Sequence, residues 1–208
     1  MAQASFRAEQ EAQRYAEHVR PINEMVDELS GTDRGWMPHV APAHGGVHAP
    51  ILSVLRDPGP KTMTGTGSGF LCVENDDPTA QTQMELMAMA GVATADITPW
   101  NAYPWYINAA PTPAQLDAGV DPLRRLVLLM PSLVVVVLQG GEAQSSWRRL
   151  TKRHPDVARR PRLVVTSYHP SRTALRTPDP EVRAARVRRR EEAWREVGAA
   201  VADARSVQ

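Results

Sequence analysis

Two residues far apart in the chain carry the strongest chemical signal: Asp57, within Leu55-Arg56-Asp57-Pro58-Gly59-Pro60, and His169, within Tyr168-His169-Pro170-Ser171. Each follows an apolar run that reads as a buried strand, and each sits on a turn stiffened by proline. A carboxylate can orient or deprotonate water and can stabilise a developing cation; an imidazole can donate a proton or a hydrogen bond. Carried at the carboxyl ends of parallel strands, the two would meet where open α/β sheets place their ligands. An isolated Asp-Pro or His-Pro is only a turn signal, so the pairing carries the reading.

The elements that must position them follow from the hydrophobic pattern. Ile51 to Leu55 reads as a first core strand delivering Asp57, and Asp96-Ile97-Thr98-Pro99-Trp100 as a second leading to Asn101. Ser132 to Leu138, with four consecutive valines, is apolar on both faces, as a central parallel strand must be. Arg162 to Thr166 forms a fourth strand and delivers His169. Between the strands lie helical patterns: an amphipathic one from Ser5 to Leu29 broken at Pro21, and one capped by Asp77 or Thr79 and carrying Met84, Leu86, Met87 and Met89. Those methionines are expected to fill the core. Further helices open at Thr112-Pro113, split by Gly119 and Pro122, and run from Ala143 to Arg153 and from Pro180 to Ala204. Gly31 to Pro50, rich in Gly, Pro and His, reads as a loop. The alternation predicts an α/β chain: a three-layer α/β/α sandwich around a mostly parallel sheet of about four strands. A single domain over 1–208 is expected, with a helical segment at 1–30, a core at about 51–176 and a basic helix at about 180–204.

Composition removes several classes of function. The chain has 208 residues and 42% hydrophobic content, enough for one substantial core. The single Cys72 excludes an internal disulfide and any Cys-rich zinc or iron-sulfur site. Leu126 to Met130 and Leu133 to Leu138 fall far short of the roughly 20 residues that cross a bilayer, and the first residues lack the apolar core of a signal peptide. A soluble, cytoplasmic protein that meets no membrane is expected. His39, His44 and His48 have no cysteine or acidic ligand between them, and Glu74, Asp76 and Asp77 stand where a helix begins, so neither group suggests a metal. No cofactor is expected. The net charge of +1 hides an arginine-rich last third, which suits a polyanion. For Arg183 to Arg195, offset by Glu191, Glu192 and Glu196, a solvated helix face is an equal reading. Arg172 and Arg176 flank the His169 turn directly.

Taken in order, Asp57-Pro58-Gly59, Phe70, Trp100-Asn101-Ala102, the valine-rich strand ending in Gly140-Gly141, and His169-Pro170-Ser171 resemble the uracil-DNA glycosylase superfamily over about Ile51 to Arg176. The resemblance implies a monofunctional, monomeric enzyme of base-excision repair that flips a deaminated base, uracil foremost, out of DNA and hydrolyses its N-glycosidic bond. It implies that Asp57 positions the attacking water and that the base stacks on Phe70. Asn101 would read the base edge with one donor and one acceptor, and His169 would hydrogen-bond the base oxygen as negative charge builds there. The segment after His169 would enter the minor groove, with Arg172 and Leu175 as wedge candidates and Thr173 at the alternative wedge position. Ser68, Ser171, Arg176 and the Gly65 to Gly69 amides would contact DNA phosphates.

One departure bears on specificity. The uracil-specialised branch carries a bulky aromatic after Asp-Pro, where this chain has Gly59. That leaves the pocket open to thymine, substituted uracils or deaminated purines unless Trp100, Tyr103, Trp105 or Tyr106 fills the gap. The absence of further cysteines sets aside the iron-sulfur branches. Two other readings stand beside this one: a member of the same fold that binds DNA or a nucleobase with little catalysis, and a small-molecule nucleoside hydrolase or phosphate-ester enzyme.

Overall fold

The computed structural model describes residues 1–206. Its centre is a four-stranded, wholly parallel sheet formed by β2 (Ile51–Leu55), β4 (Ile97–Asn101), β5 (Val135–Gln139) and β6 (Leu163–Ser167), in the order β4-β2-β5-β6. The register pairs Leu55 with Asn101, Val54 with Leu138 and Gln139 with Ser167, so the four carboxyl ends finish nearly level. β1 (His39–Val40) and β3 (Phe70–Leu71) form a separate parallel pair. The segment from Gly31 to Pro50, expected to be loop, thus contributes a strand and a 3₁₀ turn at Gly46–His48. Two-residue strands leave no periodic trace in a sequence.

Eight helices accompany the strands among the described residues: α1 (Ala4–Ala12), α2 (Arg20–Ser30), α3 (Pro78–Met89), α4 (Pro113–Ala118), α5 (Val120–Leu129), α6 (Gly141–Arg153), α7 (Pro155–Ala158) and α8 (Pro180–Ser206). The N-terminal helical pattern is interrupted before Pro21, not at it: proline occupies the first turn of α2, where its missing N–H costs nothing. Asp77 caps α3 by accepting from the amides of Thr79 and Ala80. Thr112 and Gln115 form a capping box at α4, and Gly119 separates α4 from α5. A Cβ at Gly119 would collide with the Ala102 carbonyl, so only glycine lets the helical layer come this close to the end of β4.

Strand side chains alternate between two faces. Leu52, Val54, Val136 and Leu138 point into one core with residues of α2, α5 and α6. Ile51, Val135, Val137 and Val165 point into the other, with Leu86 and Met87 of α3 and Trp194 and Val197 of α8. The result is the expected three-layer α/β/α arrangement. Met84 and Met89 are exposed, contrary to the core role expected of them, because the apolar stripe of α3 is narrow and only Leu86 and Met87 fall on it. No described helix is long and apolar enough to cross a membrane.

Candidate active site

The chain leaves β2 for α3 on one face of the sheet and leaves β5 for α6 on the other. Adjacent parallel strands whose connections depart to opposite faces open a crevice at their carboxyl ends. A cavity of about 700 Å³ lies there. Its walls come from the ends of β2, β4 and β5, the β3–α3 connection and the turn after β6, and they include Asp57, Asn101 and His169.

Asp57 lies just past β2, with its side chain 3% exposed and ion-paired to Arg56 Nε. Burial raises its pKa above the usual carboxylate range; Arg56 and the Ala109 amide oppose the rise, and the charge of Glu142 adds to it. Glu142, in the first turn of α6, and Asp77, the cap of α3, also line the cavity, so three carboxylates border one space.

His169 is held from both sides. The Ser171 amide donates to Nδ1 at 3.1 Å, which leaves the proton of a neutral ring on Nε2. Burial, then the charges of Arg56 and Arg190, push its pKa down to about 4, so the imidazole is neutral near pH 7 and donates from Nε2. Gly140, at φ 105° and ψ 170°, allows the turn to approach: a Cβ there would lie 3.3 Å from His169 Cβ.

Asn101 ends β4 at 1% exposure, and its Nδ2 has no hydrogen-bond partner. An unpaired buried donor costs roughly 1–3 kcal/mol, which an incoming carbonyl oxygen would recover. Asn75 repeats the pattern: Nδ2 donates to the Phe70 carbonyl at 3.0 Å, and Oδ1 is left unpaired. Below the cavity, Gln83 and Gln139 both donate to Ser53 Oγ, at 3.1 and 2.8 Å, in a buried amide cluster that stiffens its floor.

Pro58, Gly59 and Ser171 also line the cavity. A Cβ at Gly59 would meet nothing within 4 Å, so the space expected at this position is open. Of the four aromatic candidates to fill it, only Trp100 borders the cavity. Tyr103 and Trp105 are buried in the core, and Tyr106 packs edge-on against Trp36.

Several expected site residues stand elsewhere. Phe70, 2% exposed, belongs to a small cluster with Met1, Ala41 and Cys72 and does not line the cavity, whereas its neighbour Leu71 does. Successive strand residues face opposite ways, so one position of register decides which of them the cavity sees. Ser68 closes its own turn, with Oγ accepting from the Phe70 amide and contacting the Lys61 and Phe70 carbonyls. It is not on the cavity wall. Arg172 and Arg176 are exposed on the 3₁₀ turn Arg172–Leu175 and its flank, outside the wall, as is Leu175; Thr173 and Ala174 lie on it.

Part of the basic last third is engaged within the fold, while Arg148, Lys152, Arg159, Arg160, Arg162, Arg183 and Arg188 stand exposed. Arg149 and Arg153 of α6 ion-pair with Asp117 of α4. Arg186, Arg189 and Arg190 of α8 donate to backbone carbonyls of the 166–176 segment.

Asn75, Asn108 and Glu142 line the cavity without a sequence signal of their own: helix capping accounts for the residues around Asn75, Glu142 reads as the first turn of a helix after Gly140-Gly141, and the positive φ of Asn108 is visible only in the structure. Cys72 also lines the cavity, but burial pushes its thiol up to about 12, so it carries no thiolate near neutral pH. His44 is fully enclosed, facing the Thr94 carbonyl through Nδ1 and accepting from the Val73 amide through Nε2, and His39 pairs with Asp27. No group of described residues gathers ligands for a metal.

No protein-family model and no curated protein matches the chain. The class that fold and cavity define is that of parallel α/β proteins with a ligand crevice at a topological switch point.

Proposed function

We propose that this chain is a monofunctional DNA glycosylase acting on a deaminated base, uracil foremost. One observation carries the reading: Asp57, Asn101 and His169, from the ends of three different strands, line a single cavity. The enzyme binds the extruded nucleotide with its base against Asn101, whose unpaired Nδ2 donates to a base carbonyl. A fixed amide of this kind disfavours cytosine, whose donor and acceptor pattern at that edge is reversed.

As the bond between C1′ and the base nitrogen breaks, its electron pair moves into the base. Nε2–H of neutral His169 stabilises the resulting negative charge on the base oxygen. The Asp57 carboxylate stabilises the cationic sugar and orients a water, which adds hydroxide to C1′ and releases a proton that ends on the departing base. The products are free base and an abasic site, and no cofactor enters the balance. DNA lies across the cavity mouth, where exposed Arg172 and Arg176 supply counter-charge to phosphates.

The ion pair between Arg56 and Asp57 favours a second reading. If it persists with DNA bound, the carboxylate is held away from water, and the protein is a base-binding member of the fold with little turnover.

Oligonucleotides carrying uracil, hypoxanthine, xanthine or guanine-opposed thymine, incubated with wild type or Asp57→Asn and then treated with alkali, separate the two. Strand breaks that disappear in the variant support the glycosylase and name its base. DNA shifted in a gel without breaks on any substrate supports the second reading. Cleavage of free deoxyuridine as fast as of uracil in DNA would overturn the DNA-repair assignment.

A further inference from the structure

We propose that Arg190, on the face of α8 turned toward the sheet, is the positioning residue that holds the His169 turn in place. This deepens the glycosylase reading and rests on it for the role of His169; the geometry itself does not depend on it.

Arg190 is 8% exposed, and no carboxylate lies within ion-pair distance of it among the described residues. An enclosed guanidinium without a counter-ion is costly, and an apolar side chain would pack there at less expense. Its partners are instead two backbone carbonyls: Nη1 donates to Pro170 O at 3.2 Å and reaches His169 O at 3.5 Å. Those carbonyls lie beyond the last β5–β6 pair, Gln139 with Ser167, where the sheet no longer supplies donors. Arg189 reaches back to Thr166 O at 3.3 Å, and Arg186 reaches forward to Ala174 O and Arg176 O at 3.2 and 3.0 Å. Residues three or four apart share a helix face, so α8 grips the segment before, at and after His169.

The charges around the His169 turn and Arg190 are Arg56 and Asp57 after β2, Asp77 and Glu85 at the start and on the body of α3, Glu142 on α6, and Arg186, Arg189, Arg190 and Glu191 on α8. Arg190 is the one of these that is both enclosed and bonded to the histidine's own backbone. A fixed positive charge there opposes a second positive charge on the ring. Burial, Arg56 and Arg190, in that order, hold the His169 pKa down at about 4. The guanidinium also fixes the peptide that aims Nε2 into the cavity. Both carbonyls are reached by Nη1 alone, at the tip of the guanidinium; an ammonium keeps the charge but stands on a shorter stem.

The test is NMR titration of the intact protein with isotope-labelled histidine, the His169 signal being assigned by its loss in His169→Gln. Wild type, Arg190→Gln, Arg190→Lys and, as a flank control, Arg189→Gln are compared. Expected are a His169 pKa raised by on the order of one unit in Arg190→Gln, a smaller rise in Arg190→Lys, and none in Arg189→Gln. Turnover is expected to fall in both Arg190 variants, with the acid limb of the pH profile moved to higher pH in Arg190→Gln. An unchanged His169 pKa in folded Arg190→Gln would overturn the proposal. If glutamine prevents folding, a Lys variant whose pKa and turnover match wild type would overturn it equally. Absence of strand cleavage by wild type would count against the glycosylase reading, while the titration would still decide the role of Arg190.

Discussion

The amide of Ser171 donates to Nδ1 of His169 across the intervening proline, at 3.1 Å. This bond assigns the tautomer, so the cavity meets an N–H donor and not a ring lone pair. Ser171 has φ −61°, a value proline adopts without strain. Ser171→Pro therefore keeps φ and deletes the donor, and its Cδ takes the place of the amide proton against Nδ1, so the ring loses both the bond and its seat. We expect a mixture of ring tautomers in nitrogen-15 spectra and a fall in turnover on the order of a hundredfold; a single Nε2–H tautomer in the variant would refute the assignment.

Asp57 is expected to matter for turnover and little for affinity. Asp57→Asn keeps the shape and removes the charge that orients water, so single-turnover base excision should drop by about 10²–10⁴ while the DNA gel shift persists. Loss of binding in parallel with activity would assign Asp57 to DNA recognition.

The two shifted groups act on the same side of the pH profile. Asp57, raised above the usual carboxylate range, must be ionised, and His169, at about 4, must be neutral. Activity is therefore lost as pH falls, through the raised pKa of Asp57 and through that of His169 at about 4, and neither group produces a loss as pH rises. A kcat/KM profile with an alkaline limb near neutrality would contradict this pair of roles.

His44 makes the fold acid-sensitive. Its pKa is about 4 in the folded protein against an ordinary 6.5, because burial opposes the charge. The unfolded chain takes up a proton below 6.5 and the folded chain does not until about 4, so stability is full above the unfolded value and declines as pH falls between the two. The decline from this residue is at most about 3 kcal/mol. Urea unfolding across that range should show a shallower pH slope in His44→Gln than in wild type; equal slopes would remove His44 as the cause.

Gly140 joins backbone geometry to the site. At φ 105° and ψ 170° it occupies a region almost reserved for glycine, and Gly140→Ala would place a methyl against His169 Cβ. A loss of about 1–3 kcal/mol in unfolding free energy is expected, with turnover reduced further through displacement of the His169 ring. Unfolding and kinetic measurements on this variant should show both losses; wild-type values for both would mean that the turn has room to relax.

The sequence by itself determined the α/β class, the four strands of the main sheet and the three residues Asp57, Asn101 and His169 at their ends. Those features are local: an apolar run of strand length specifies the strand, and a proline or glycine after it specifies where the next residue emerges. Tertiary structure alone decided what depends on packing between distant segments. The pairing of β1 with β3 turned Leu71 to the cavity and Phe70 away from it. Three arginines of the basic stretch, Arg186, Arg189 and Arg190, became donors to the 166–176 backbone, because a guanidinium reaches several ångströms from its helix and bonds whichever carbonyl the fold brings near. The cavity itself exists because β2 and β5, far apart in the chain, lie side by side and send their connections to opposite faces.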